Sequence, residues 1–278
     1  MKLSIWLLGG VFAVIAGSAS VGILYTTRAQ SVVGANIAKN KEDARPANIE
    51  ITVISDKDCK ECFDVTPTLT EIERANVAVT AKRTLDRIDE EAKAMIAQYA
   101  IQRLPTIIIR GEVQKQESFK TALAQFGDVT GDTFVLRKIG GPSVVASTGE
   151  IKGKTTLTLL RDSSCSQCYE VQKHRAILYR FGLTPTAFSV VDVNAAEGRA
   201  LVKKYGISLV PAFVLTGEVT EYSDLLTLWP TVGIVNNGAY VFTQGVPTMG
   251  VYKDLKTGKI IDPDKIAKQE SAQPNTAQ

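Results

Sequence analysis

The sequence predicts an α/β protein in which one unit is used twice, behind an apolar N-terminal segment. Three observations carry this reading. Cys59-x-x-Cys62 recurs as Cys165-x-x-Cys168 at an offset of 106 residues. Within each copy, β-branched alternating stretches take turns with stretches of helical period. From Leu3 to Thr27 no charged residue occurs. The same offset of 106 carries Asp56 onto Asp162, Asp86 onto Asp192, Tyr99 onto Tyr205, Ile101 onto Ile207 and Pro105 onto Pro211. It also carries Gly111-Glu112-Val113 onto Gly217-Glu218-Val219, Gly127 onto Gly233 and Val135 onto Val241. A repeat of this length is the size of a small domain with one core, so the chain divides into two such domains.

The elements follow in order. Asn48 to Ile54 alternates and is rich in β-branched residues, which predicts a strand. Cys59 then opens a segment with Phe63, Leu69 and Ile72 at helical spacings. Val77 to Leu85 reads as a second strand, Glu90 to Ala100 as a helix, and Thr106 to Ile109 as a third strand beginning directly after Pro105. Glu117 to Phe126 is helical in pattern and precedes a strand over Thr133 to Lys138. The second copy gives strands over Thr156 to Leu160, Thr186 to Val193, Ala212 to Leu215 and Ala239 to Phe242. Its helices fall at Cys165 to Phe181, Glu197 to Tyr205 and Tyr222 to Trp229. Alternating strand and helix implies a largely parallel sheet with helical crossovers.

Residues 1–28 are read as a membrane anchor, because 25 uncharged residues exceed the roughly 20 that an apolar helix needs to span a bilayer. Lys2 would stay on the cytoplasmic side, and the rest would be exported. A cleaved signal peptide, processed in Ala16-Gly17-Ser18-Ala19-Ser20, and a buried helix of a soluble domain are the alternatives. Residues 29–47 read as a linker, 48–152 and 153–264 as the two domains, and 265–278 as a disordered tail. With 45% apolar and 22% charged residues the chain is ordinary globular material. A balance of 32 basic against 29 acidic residues argues against a nucleic-acid partner. No glycine-rich phosphate loop is present, so no nucleotide or flavin cofactor is indicated.

Four cysteines are too few for a disulfide-stapled scaffold, and export would place them where disulfides persist. Each pair is expected just after a strand, at a helix start, where unpaired amides and the helix dipole stabilise a thiolate. Cys59 and Cys165 are then the attacking sulfurs, and Cys62 and Cys168 resolve the mixed disulfide. A disulfide within Cys-x-x-Cys closes too short a loop to constrain much unfolded chain, which favours reactivity over a structural role. Asp58 and Glu61 set negative charge beside Cys59, partly offset by Lys60, whereas Ser164 and Ser166 flank Cys165. Cys165 is therefore expected to be the more acidic thiol.

A strand, a Cys-x-x-Cys at a helix start, and Leu104-Pro105-Thr106 or Val210-Pro211-Ala212 at matching distance beyond it resemble the thioredoxin superfamily. The tandem arrangement is similar to the two-domain protein disulfide oxidoreductases. The resemblance covers roughly residues 48 to 136 and 154 to 242, and implies two tandem thioredoxin-like domains, each a central mixed sheet flanked by helices. It further implies that Pro105 and Pro211 are cis and face the sulfurs, leaving the backbone of Leu104 and Val210 free to pair with a bound substrate peptide. The departures are also clear. No Trp-Cys-Gly-Pro-Cys signature is present, and Val53 and Leu159 stand where thioredoxin has a buried acid. A helix also precedes the last strand of each copy.

The function expected is an extracytoplasmic thiol–disulfide oxidoreductase acting on cysteines of exported proteins and recharged by a membrane redox partner. The direction of exchange is open within potentials of about −120 to −270 mV. The alternative is a binding module, capturing Cu(I) or zinc with its dithiols or presenting the repeated fold to a protein partner. His174, the only histidine, is read as a surface residue. Trp229, Phe126, Phe134 and Tyr240 are read as core or edge cover.

Overall fold

A computed structural model describes residues 36, 37 and 39–272. The apolar segment over Leu3 to Thr27 lies outside the described residues. Among those described, no helix is long and apolar enough to cross a membrane.

The first unit runs β1 (Ala47–Ser55), α1 (Thr66–Arg74), β2 (Val77–Asp86), α2 (Glu90–Gln98), β3 (Arg103–Leu104), β4 (Thr106–Gly111), α3 (Glu117–Ala124), β5 (Gly127–Thr130), β6 (Thr133–Leu136), β7 (Ser143–Val145) and β8 (Ile151–Lys152). The second runs β9 (Thr155–Arg161), α4 (Lys173–Arg180), β10 (Ala187–Asp192), α5 (Ala196–Tyr205), β11 (Leu209–Val210), β12 (Ala212–Gly217), α6 (Ser223–Val232), β13 (Gly233–Asn236), β14 (Ala239–Phe242), β15 (Tyr252–Asp254), β16 (Ile260–Ile261) and α7 (Pro263–Ala272). The polar stretch expected to be disordered thus begins as a helix, and residues 39–44 of the expected linker are helical as well.

Each unit holds one five-stranded mixed sheet, ordered β2-β1-β4-β6-β5 and β10-β9-β12-β14-β13. β1 is parallel to β2 and antiparallel to β4, and β9 repeats this with β10 and β12. The central strand is covered on both faces, which is why β1 alternates at its start and is then continuously buried. Ile49, Ile51, Val53, Ile107 and Ile109 meet Leu69 and Ile72 of α1 and Phe119 and Leu123 of α3 on one face. Ile54, Leu104 and Ile108 meet Ala92 and Met95 of α2 on the other. Helices α3 and α6 precede β6 and β14, as the patterning predicts, and β6 and β14 run antiparallel to β4 and β12, the strands that follow Pro105 and Pro211.

The repeated Gly-Glu-Val has a structural explanation. Gly111 and Gly217 have φ of +121° and +97°, and a Cβ at either would lie 2.4 Å from the carbonyl oxygen of Asn48 or Lys154. Glu112 accepts the Asn48 amide at 2.7 Å, and Glu218 accepts those of Gly153 and Lys154 at 2.8 and 3.1 Å. Val113 and Val219 are fully buried. The motif anchors the first residues of the central strand. Gly217→Ala is expected to destabilise the second unit by at least about 2 kcal/mol, since it combines a left-handed backbone with a backbone clash. Urea unfolding followed through Trp229 checks this, and a midpoint unchanged from the parent would refute it.

The units meet beside the first dithiol. Phe63 stacks on Tyr179 with ring centroids 5.8 Å apart, Lys154 Nζ lies 2.5 Å from Glu61 Oε1, and Arg103 pairs with Glu221. Gly141 donates its amide to Gly182 O at 2.7 Å and accepts that of Thr184 at 3.0 Å.

Candidate functional site

Both dithiols lie directly beyond the C-terminal end of a central strand, the end at which open α/β sheets present their sites. The repeated aspartates build the loops that hold them. Asp56 accepts the Asp58 amide at 2.9 Å through Oδ1, and its carbonyl accepts the Cys59 amide at 3.2 Å. Asp162 does the same for Ser164 at 2.8 Å and Cys165 at 3.0 Å. From the neighbouring strand end, Asp86 accepts the Lys57 amide at 3.1 Å and Asp192 that of Ser163 at 2.9 Å. The result is a tight turn delivering Cys59 bonded to Cys62 and Cys165 bonded to Cys168, each with Cα atoms 5.4 Å apart.

One expectation needs correction: the cysteines do not open the helices. α1 starts at Thr66, with Pro67 in its first turn, and α4 starts at Lys173. A helix begun at Cys59 would turn the Phe63 amide to the Cys59 carbonyl. That amide goes instead to Pro142 O at 2.7 Å, and the matching Tyr169 amide goes to Val251 O at 2.8 Å. A thiolate here is stabilised by turn amides and neighbouring charge rather than by a helix dipole.

Leu104–Pro105 and Val210–Pro211 are both cis, and Cys168 Sγ lies 4.0 Å from the Val210 carbonyl oxygen. Cys59 and Cys62 pack on the cluster that contains Leu104 and Val144. The structure thus brings each dithiol to its own proline strand. It does not leave that strand free: β3 pairs with β7, Leu104 opposite Val144, and β11 pairs with β15, Val210 opposite Lys253. Leu104 and Val210 are fully buried. The expected open peptide edge is occupied by the chain itself. An opening of about 270 Å³ remains beside the second dithiol, lined by Asp162, Ser163, Cys165, Ser166, Glu170 and Pro211 among others. Cys165 is 7% exposed, while Cys168, Cys59 and Cys62 are half-buried.

The charges around the two loops differ. Asp162 is almost wholly buried, with a side chain 1% exposed against Lys253 at 20%. Burial alone would raise its carboxyl, but Lys253 Nζ at 2.6 Å, the Ser164 hydroxyl at 2.6 Å and Asn194 Nδ2 at 2.8 Å outweigh it and hold it well below the usual carboxylate range. Lys253 also reaches Ser164 Oγ at 3.0 Å, next to Cys165. At the first loop the counterion is Arg87, 2.9 Å from Asp56, and its hydrogen bond lowers that carboxyl. Glu61 is held below its ordinary range by the hydrogen bond from Lys154.

His174 is not a surface residue. It is 1% exposed, set among Tyr169, Phe213 and Phe242. Tyr169 Oη donates to the Pro211 carbonyl at 2.6 Å, so at 3.0 Å His174 Nε2 donates to Tyr169. Burial lowers the His174 pKa to about 4 and raises the Tyr169 hydroxyl. A neutral imidazole therefore braces the proline of the second site. The first unit has Thr68 and Phe63 at these positions and no such brace. Trp229 and Phe134 are buried and Tyr240 packs against the core, whereas Phe126 is 51% exposed.

Sequence reasoning noticed Asp56, Asp86, Asp162 and Asp192 as repeats without giving them a role. It missed Lys253 and the β7–β8 and β15–β16 hairpins. Their one signal is Thr148-Gly149-Glu150-Ile151 against Thr257-Gly258-Lys259-Ile260, hidden because the offset has grown to 109. Among the described residues, no group of three or more His, Cys, Asp or Glu side chains is placed to hold a metal ion.

No protein-family model and no curated protein matches the chain. Among solved structures it is similar to a protein disulfide oxidoreductase from Aeropyrum pernix k1, at 15% identity over 63% of this chain and 78% of that one, with a TM-score of 0.18. It is also similar to the NTD_N/C domain of the alkylhydroperoxide reductase AhpF from Enterococcus faecalis, at 11% identity over 66% and 90%, with a TM-score of 0.18. The thioredoxin-like description rests on the twice-repeated sheet order, the dithiol beyond the central strand and the cis-proline strand beside it.

Proposed function

We propose that the protein is an extracytoplasmic thiol–disulfide oxidoreductase that exchanges disulfides with exported proteins through two dithiol sites. The observation that carries this is the repeated placement of a Cys-x-x-Cys disulfide beyond the central strand and against a cis-proline strand. In the reducing direction, one thiolate of a reduced pair attacks a substrate disulfide, forming a mixed disulfide and expelling one substrate thiolate, which takes a proton. The second sulfur, deprotonated, then attacks the protein half of the mixed disulfide, closing the Cys-x-x-Cys bond and releasing the other substrate thiolate. The oxidising direction is the reverse. Cys59 and Cys165 attack, and Cys62 and Cys168 resolve. Export is supported by the uncharged segment over Leu3 to Thr27, which tethers the two domains outside the cytoplasm, where a membrane redox partner recharges them.

Insulin reduction and reoxidation of reduced ribonuclease by the purified protein test this. Cys59→Ala and Cys165→Ala are each expected to remove part of the turnover, and the double variant all of it. Turnover that survives the double variant, or stoichiometric metal capture without turnover, would reject the reading.

A further inference from the structure

The hairpin that follows each five-stranded sheet takes the same path over its site in both units. In the first unit Pro142 O accepts the Phe63 amide, Val144 lies opposite Leu104, and Ala146 donates to Gln102 O at 2.9 Å. In the second, Val251 O accepts the Tyr169 amide, Lys253 lies opposite Val210, and Leu255 donates to Ser208 O at 2.8 Å. Antiparallel bonds recur at every second residue, so Leu104 and Val210 both stand at bonded positions. Each hairpin therefore bridges the residue after the second cysteine and the residue before the cis-proline. Its turn is closed by the Gly149 amide on Val145 O or the Gly258 amide on Asp254 O, both at 2.8 Å, with φ of +78° and +71° at the two glycines. The path is kept although the repeat offset changes from 106 to 109 and few residues are shared. In the second unit the Lys253 ion pair with Asp162 pins it further.

We propose that these hairpins permanently occupy the backbone edge of both sites, so that the substrates are compact disulfides that present sulfur without an extended flanking chain. The inference deepens the oxidoreductase reading and rests on it. A chain adding a strand beyond β16 would lie three strand spacings from β11, roughly 14 Å from the proline strand and out of reach of the sulfurs, and on the other edge of β11 it would meet the main chain of Leu209 rather than that of Val210, which faces Lys253. At the second site a polar hollow of about 270 Å³ stays open against Cys165, Cys168 and Pro211, large enough for a disulfide and its immediate substituents. Strand addition on the main chain of Leu104 and Val210, which would give affinity through hydrogen bonds beside the sulfurs, is unavailable.

The test uses the protein with Cys59→Ala, Cys62→Ala and Cys168→Ser, reduced, so that only Cys165 reacts. Its thiolate attacks either oxidised glutathione or a ten-residue β-forming peptide whose central cysteine is disulfide-bonded to glutathione. A new sulfur–sulfur bond forms on Cys165, glutathione thiolate leaves and is protonated, and the adduct is trapped. The rates on the two probes are expected to agree within about threefold. Hydrogen exchange in the peptide adduct should leave the Val210 and Lys253 amides as protected as in the free protein. A larger rate advantage for the peptide, or loss of protection at these amides, would overturn the inference while leaving the oxidoreductase reading intact. No adduct with either probe would take down both.

Discussion

Lys253→Met is expected to destabilise the second unit by about 3–5 kcal/mol, because it removes the cation from a carboxylate that has almost no access to water. Asp162 Oδ2 would lose its 2.6 Å partner, leaving Ser164 and Asn194 on the other oxygen. Methionine keeps the length of the stem, so the loss is electrostatic rather than a cavity. The sign with pH follows from the lowered Asp162 pKa. The parent gains stability above the unfolded carboxylate value near 4 and loses it only as acid protonates the folded group. In Lys253→Met that gain is absent at neutral pH. Lys253→Met combined with Asp162→Leu should recover most of the loss, since the buried charge is then gone. Lys253→Met alone should also raise the Cys165 thiol pKa, since the cation beside Ser164 disappears and Asp162 remains negative. Urea midpoints read by Trp229, and thiolate absorbance against pH in a Cys168→Ser background, check the two effects. An unfolding free energy changed by under about 1 kcal/mol would show that the pair contributes no more than a surface salt bridge.

The parts of this architecture that were legible in the sequence are those whose residues report their own burial. β1 from Ile51 onward and β4 are β-branched and buried on both faces, so Ile51 to Ile54 and Ile107 to Ile109 announce themselves. Glu90 to Gln98 carries its own helical period. The dithiols and their prolines are recognisable because the repeat prints each of them twice. The illegible parts depend on partners distant in the chain. Strands β3, β7, β8, β11, β15 and β16 are two or three residues long and have no period of their own, existing only as pairings. The start of α1 cannot be placed without knowing that Pro142 takes the Phe63 amide. Lys253 reaches Asp162 only because β15 pairs with β11. The burial of His174 is not legible locally, since Lys173 and Arg175 flank it and its partners Tyr169, Phe213 and Phe242 are brought to it only by the fold, although His174 and Leu178 share one face of α4 and are both buried there.

The second large effect belongs to that histidine. Its pKa is about 4 in the folded protein against roughly 6.5 in an unfolded chain. Above pH 6.5 the imidazole is neutral in both states and carries no proton-linked penalty. Between about 6.5 and 4 the unfolded state takes up the proton first, so stability falls as pH falls, by about 3 kcal/mol across the window. Asp56 and Asp162, whose pKa values are lowered, lose their contributions only at more acid pH. His174 is also the only histidine in the sequence, so the window is read almost alone. Comparing unfolding free energies at pH 7 and pH 4.5 in the parent and in His174→Leu should show this slope in the first and its loss in the second. An imidazole that titrates near 6.5 in the folded protein by NMR would contradict the burial argument. Because His174 holds Tyr169 on the Pro211 carbonyl, acid should also slow exchange at the second dithiol before the first. Turnover of the Cys59→Ala and Cys165→Ala variants compared at pH 7 and near pH 4, where the folded imidazole is about half protonated, separates the two sites, and equal acid sensitivity would mean that the brace does not act on the proline.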